Sequence, residues 1–244
     1  MTWGTFGLAH ILSLVFAVLF NVGLYFLLKI SPKWLQITVL GVLSFSGIAA
    51  IIFNLVMWNS PLEYLPFHLC SLNAMILPFA VFTRNKVVAN LTLLWSLGAA
   101  VALVLNQAVA AAEVFDPVFC FYYFPHVLEM SIPILLFKLG LCKLDPKCII
   151  STVGITGAAY TAIHFINLAI NNYCIENSVL DWAGNVVQVN YMYSIVPDNP
   201  VLALFYSIIP HQFWYMLPAV AIAAVYLGAI YGIDHLLKKS KKKA

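Results

Sequence analysis

Charge is what this 244-residue chain has least of. Only 9% of its residues are charged and 63% are hydrophobic, whereas a soluble globular domain carries about 25% charge. That excludes a soluble fold. No stretch is left over for a second domain, so one membrane domain over 1–244 is expected. The five cysteines never form Cys-x-x-Cys, and there is no His-Glu-x-x-His run and no cofactor-binding motif. Spacing therefore predicts no cofactor and no metal. The chain has no internal repeat of the kind that builds two-halved transporters. Its start lacks the basic stretch and small-residue cleavage site of a signal peptide, so the first apolar run is expected to persist as a helix. Basic residues, finally, are missing from every second connection, and this absence orients the chain.

Seven apolar runs can be threaded, at roughly 6–28, 35–57, 65–82, 87–111, 119–137, 148–171 and 211–236. Each approaches or exceeds the ~20 residues that cross a ~30 Å hydrocarbon layer. All twelve Lys and Arg then fall on one side: Lys29 and Lys33, Arg84 and Lys86, Lys138, Lys143 and Lys147, and the Lys238–Lys243 tail. The opposite connections hold only Glu63, Glu113, Asp116, Glu176, Asp181 and Asp198. Basic loops stay cytoplasmic, so the expected fold is all-α, polytopic, N-outside and C-inside, in the cell membrane. The net charge of +3 then reports topology, and no nucleic-acid partner is expected. The tail reads as an inner-face anchor, with anionic lipid heads as its sharper ligand. Oligomeric state is open.

The long extracytoplasmic connection, 172–210, reads as a loop or lid. A short hairpin is expected around Gly184-Asn185, and the apolar piece 200–209 before Pro210 as an interfacial or lid helix. Pro78, Pro125, Pro133 and Pro218 are expected to kink their helices, which neighbours can tolerate in a membrane. Cys142 and Cys148 fall at the inner face, as reduced or acylated thiols. Cys120 and Cys174 both fall at the outer face, where a disulfide is allowed.

Polar residues collect in the outer leaflet. At the α-helical rise, His68 lies about 6 Å below the outer surface, Cys70 about 9 Å, and His126 and His164 about 10 Å. His10 is in the outer third of the first helix and His211 opens the seventh, so only His235 of the six histidines lies inside. Asn54 and Asn106-Gln107 end their helices at the same face. Asn73 is one turn below Cys70, and His164, Asn167 and Asn171 form one stripe. Glu129, one turn below His126, lies near mid-bilayer, where an ionisable group pairs, faces the bundle interior or serves a function.

Two chemistries fit this slab. In the first, Cys70 is a nucleophile whose proton goes to a histidine. His68 points elsewhere on the same helix, so the base comes from another: His126 first, with Glu129 holding its ring in the productive tautomer, or His164. Asn73 or His68 then donates to the oxyanion. In the second, some of His68, His126, His164, His211 and Glu129 bind zinc with one position open. A third, non-enzymatic reading makes the slab a head-group site of a lipid-binding or transport protein. The inner halves of the helices are nearly pure Leu, Val, Ile, Ala and Phe, which gives a transporter no polar path.

The stretch LPFHLCSLNAMILPFAVFTRN at 65–85 resembles the YwaF-like bacterial integral membrane family, with its Leu-Pro-x-His-x-Cys opening and Arg-Asn turn. The resemblance extends through Pro125-His126 and the NYMY of 190–193. It departs at Ile209-Pro210-His211-Gln212-Phe213-Trp214-Tyr215, where the family has Gly-Pro-Trp-Pro-Trp-Tyr, and no role for His211 carries over. The family looks related to eukaryotic transmembrane protein 164, a multi-span acyltransferase that builds ether phospholipids with a cysteine. That kinship implies Cys70 as nucleophile and His126 as base.

The reading is therefore a membrane acyltransferase acting on phospholipid acyl chains through Cys70, His126 and Glu129. His68, Asn73, His164, Asn167 and His211 are expected to bind substrate. The partners are phospholipid and lysophospholipid, since acyl-CoA is on the wrong side of the membrane for this site. The alternatives are the zinc-dependent lipid hydrolase and the non-enzymatic lipid-binding or transport protein.

Overall fold

The computed structural model describes residues 1–58, 60–181 and 183–241. Lys242 and Lys243 of the basic tail and Trp182 of the long connection lie outside them. The described chain is all-α, its extended pairing limited to two isolated bridges, Thr2 with Glu113 and Leu180 with Val186. Nine helices run in the order α1 Leu8–Lys29, α2 Lys33–Ser44, α3 Ser46–Met57, α4 Leu69–Thr83, α5 Lys86–Leu105, α6 Pro117–Lys138, α7 Ile149–Glu176, α8 Pro200–Ile208 and α9 Leu217–Lys241.

Among the described residues six stretches are long and apolar enough to cross a membrane: α1, α2 with α3, α5, α6, α7 with its lead-in, and the start of α9. The run at 65–82 is shorter than its hydropathy suggests. Residues 61–68 turn before α4 begins, leaving a helix of 15 residues, about 22 Å long. The second span is broken at Phe45, between the end of α2 and the start of α3, where Ser44 Oγ donates back to the Gly41 carbonyl at 2.6 Å. Pro78, Pro125 and Pro133 lie inside continuous helices, but Pro218 stands in the first turn of α9, where a proline needs no partner for its missing N–H. It starts that helix instead of kinking it.

Asx side chains set the starts of α5, α6, α8 and the lead-in to α7. Asp116, Asp145 and Asn199 each precede a proline and accept a backbone N–H two residues on, joining an N-cap to the preset φ of proline. Asn85 caps α5, accepting from Val87 and Val88. Asn106 ends it in a left-handed conformation, six residues before the expected end.

The chain forms two compact units, residues 1–57 with 69–144, and 58–68 with 145–244. In the first, α5 and α6 are the interior pair, 56% and 61% buried, whereas α1 is only 17% buried and turns its apolar surface to lipid. Leu77, Val81, Ile132 and Leu136 form the core at the basic end of this bundle. Trp3, Phe119 and Tyr123 form the core at the other. In the second unit, the expected hairpin is one bridge closed over Gly184, which has φ +84. The expected lid helix is α8, packed through Leu202 and Phe205 on Tyr215. All five cysteines are free thiols.

Candidate functional site

Three helices of the first unit build a polar locus in an apolar bundle. Cys70 stands in the first turn of α4, half-buried and free. His126 and Glu129 on α6 are both buried and, three residues apart, share a face. The Glu129 carboxyl is within electrostatic reach of both His126 and Cys70. A thiol, an imidazole and a carboxyl thus share one neighbourhood.

Glu129 also lies against a close helix approach. A Cβ on Gly47 of α3 would stand 2.5 Å from Ala74 Cβ and 3.0 Å from Glu129 Oε1. Only glycine lets α3 come this near to α4 while leaving room for the carboxyl. Glu129 Oε2 has no hydrogen-bond partner, and neither has either amide atom of Asn73, which is 0% exposed. A buried polar group without a partner costs about 1–3 kcal/mol, so such groups call for a functional account. Asn73 lies one turn from Cys70 on the same face.

The tautomer of His126 follows from its one hydrogen bond. Nδ1 lies 2.6 Å from the Tyr122 carbonyl, an acceptor only, so Nδ1 carries the proton and Nε2 is the ring's basic nitrogen. The Tyr122 ring lies over the imidazole, centroids 4.3 Å apart. Tyr122 therefore holds the ring, the part expected of Glu129. The i−4 spacing of Tyr122 was visible in the sequence, but nothing there marks a carbonyl as an orienting group. His10 is spent on structure, with Nδ1 accepting from the Phe6 N–H at 2.9 Å and Nε2 donating to the Leu103 carbonyl at 2.8 Å. An open apolar groove of about 430 Å³ runs between α3 and α6, lined by Ala49, Ile52, Phe53, Val56, Met57 and Phe121.

The second unit holds His68, His164, Asn167 and His211. Asn167 and Asn171 grip the backbone of the long connection. Asn171 accepts from the Val189 N–H at 2.7 Å and donates to its carbonyl at 3.0 Å. Asn167 does the same for Tyr191, at 3.0 and 2.8 Å. Four residues of helix rise about 6 Å and two of extended chain about 6.6 Å, so two asparagines one turn apart copy a strand edge. Asn167 also donates to Ser194 Oγ at 2.9 Å, and His164 Nδ1 lies 3.1 Å from the same hydroxyl. The His68 ring packs on Tyr191 and Tyr193, at 5.3 and 5.4 Å. Burial pushes the Tyr191 phenol up to about 12, so it stays an O–H and donates to the Leu62 carbonyl. His211 does not open a helix: it sits exposed in the turn before Trp214–Met216.

Among the described residues no three His, Cys, Asp or Glu side chains gather as metal ligands. A model of the TMEM164 family matches residues 5–231. No curated protein and no solved structure matches the chain.

Proposed function

The chain belongs to the TMEM164 family, and on that premise we propose that it moves acyl chains between membrane phospholipids through a thioester on Cys70. The observation that carries this reading is the shared locus of Cys70, His126 and Glu129, with Nε2 of His126 left as the basic nitrogen by the Tyr122 carbonyl.

Cys70 gives its S–H proton to His126 Nε2 and its sulfur attacks the carbonyl carbon of a phospholipid ester. Asn73 Nδ2, unpartnered in the resting protein, donates to the oxyanion, a contact worth on the order of 10²-fold in rate. The carbon–oxygen bond to the glycerol breaks, and its oxygen takes the proton from His126. An acceptor lysophospholipid hydroxyl then passes its proton to His126 and attacks the thioester, which releases the thiol. Water in place of the lysolipid gives hydrolysis. Glu129, within electrostatic reach of His126, steadies the imidazolium in both halves. The substrate tails lie in lipid alongside apolar helix faces such as the α3–α6 groove.

The same reading sets the chain in the cell membrane with seven spans, α4 included, its N-terminus outside and its lysine-bearing end inside. Cysteine labelling that finds Lys86 and Glu176 on one side sinks that topology. The chemistry is tested by intact mass. Protein incubated with phospholipid vesicles gains one acyl mass that hydroxylamine removes, and Cys70→Ala gains none. An adduct that persists in Cys70→Ala overturns the mechanism.

A further inference from the structure

Chain termini usually fray unless something ties them down, yet five of the first six residues here make hydrogen bonds and Thr2 lies in a bridge between them. The Met1 carbonyl accepts from Val114, and the Trp3 and Gly4 N–H groups donate to the Ala112 and Ala110 carbonyls at 2.8 Å. Thr2 bridges Glu113. The Thr5 hydroxyl donates to Asn106 Oδ1 at 2.7 Å, Asn106 Nδ2 donates to the Gly4 carbonyl at 2.6 Å, and the Phe6 N–H reaches His10. What this lacing holds is one indole. Trp3 is 1% exposed, and its Nε1 donates to Ser13 Oγ at 3.0 Å.

Trp3 meets a row of α6 rings edge-on: Phe119 at 4.9 Å, Tyr122 at 6.1 Å and Tyr123 at 5.9 Å. Tyr122 is the one that matters for chemistry. Its hydroxyl donates to the Ala102 carbonyl at 3.0 Å, its own carbonyl takes the His126 proton, and its ring covers the imidazole. The phenol is thus pinned at its tip by α5 and on its flank by Trp3. The space left by a missing indole would let the ring swing off His126.

We propose that Trp3 is a positioning residue for His126, acting through Tyr122. The proposal rests on His126 being the base for Cys70. The N-terminal segment is then part of the catalytic apparatus, although it touches neither substrate nor nucleophile.

The test reads thiolate formation without turnover. Full-length protein in lipid nanodiscs is alkylated with iodoacetamide at pH 7 and pH 9.5, and the rate at Cys70 is followed by peptide mass spectrometry. In His126→Ala the pH 7 rate falls about tenfold while the pH 9.5 rate changes by less than about twofold, because hydroxide replaces the lost base. Trp3→Leu fills the space without an aromatic edge, and it reproduces at least about threefold of the pH 7 fall. Trp3→Phe restores the ring edge and the wild-type ratio. A purely structural Trp3 would lower the melting temperature in Trp3→Leu and leave the ratio unchanged, which overturns the proposal. An unchanged ratio in His126→Ala overturns the base assignment itself, a separate failure.

Discussion

Two buried asparagines, one in each unit, are treated in opposite ways. In the second unit, Asn167, like its neighbour Asn171, spends its amide on the backbone of the long connection, and Ser194 is shared between Asn167 and His164. In the first, where Asn106 and His10 are likewise spent on backbone, Asn73 is equally buried but pairs with nothing, and Glu129 keeps an orphaned oxygen. Identical side-chain chemistry thus marks architecture at Asn167 and, on the proposed reading, a reaction site at Asn73. Residue type does not separate them; the state of their hydrogen bonds does.

Removing the nucleophile is the hardest blow to this contrast. Cys70→Ala is expected to cut acyl transfer between vesicle phospholipids by on the order of 10³-fold or more. Cys70→Ser falls nearly as far, because a hydroxyl is a poorer nucleophile beside the same base. Wild-type turnover in Cys70→Ala, measured by lipid mass spectrometry, would end the covalent mechanism and remove the reason for an unpaired Asn73.

The paired asparagines sharpen the comparison. Asn73→Leu should lower activity on the order of 10²-fold while leaving stability unchanged or raised, since it removes a buried amide that had no partner. Asn167→Leu should do the reverse. It strands the Tyr191 N–H and carbonyl and costs about 2–3 kcal/mol, with activity falling only as the folded fraction falls. Thermal unfolding and turnover measured on both variants decide the matter. If Asn73→Leu is the destabilised one, its amide has a structural partner and the site loses its oxyanion donor.

How far the sequence reaches follows the same division. Hydropathy was enough for six long apolar stretches, because a period of apolar residues over ~20 positions has few other readings. It missed local detail: the break at Phe45 in the second span and the Asp116 cap that starts α6 two residues before the apolar run. It also merged the 65–68 turns into α4, since apolar composition does not distinguish a turn from a helix. Cys70 and His126 were legible as polar residues at one depth on two helices, and Glu129 as a carboxyl one turn deeper. Tyr122 and Gly47 were not, because one acts through its backbone and ring and the other through a missing side chain. Asn167 was misjudged as a ligand group for a related reason: its i, i+4 partnership with Asn171 is plain in the sequence, but the strand it mimics lies 18 residues or more away.

Gly47→Ala tests the close approach on which the unpaired carboxyl depends. The new methyl would meet Ala74 Cβ at 2.5 Å and Glu129 Oε1 at 3.0 Å, and overpacking of this kind costs about 1–3 kcal/mol. Activity should fall further than stability, because the carboxyl must move from its place near His126. Glycines with nothing near them, such as Gly157 on α7, should accept alanine with a gain in helix propensity of up to about 1 kcal/mol. Equal effects at Gly47 and Gly157 in thermal melts would show that α3 does not need to come so close.

The smallest effect belongs to a charge that the second unit spends on its own turn. Asp181 Oδ1 accepts from the Ala183 and Asn185 N–H groups, each at 2.8 Å, and donation from Asn185 holds its carboxyl below the ordinary value of 3.8. A carboxyl lowered on folding adds stability that is present above its unfolded value. That stability is lost as pH falls through the folded one. The hairpin closed by Leu180 and Val186 should therefore keep its amide protection from neutral pH down to about pH 4 and loosen only below that. Because the side chain is fully exposed, the loosening stays local and the global melt of the protein should not register it. Hydrogen exchange followed on the amides of Gly184 and Asn185 between pH 5 and pH 2.5, corrected for intrinsic rates, reads the change. Protection that persists unchanged to pH 2.5 would mean that the turn is held by its backbone bonds alone, and that even this carboxylate is not spent where its geometry says it is.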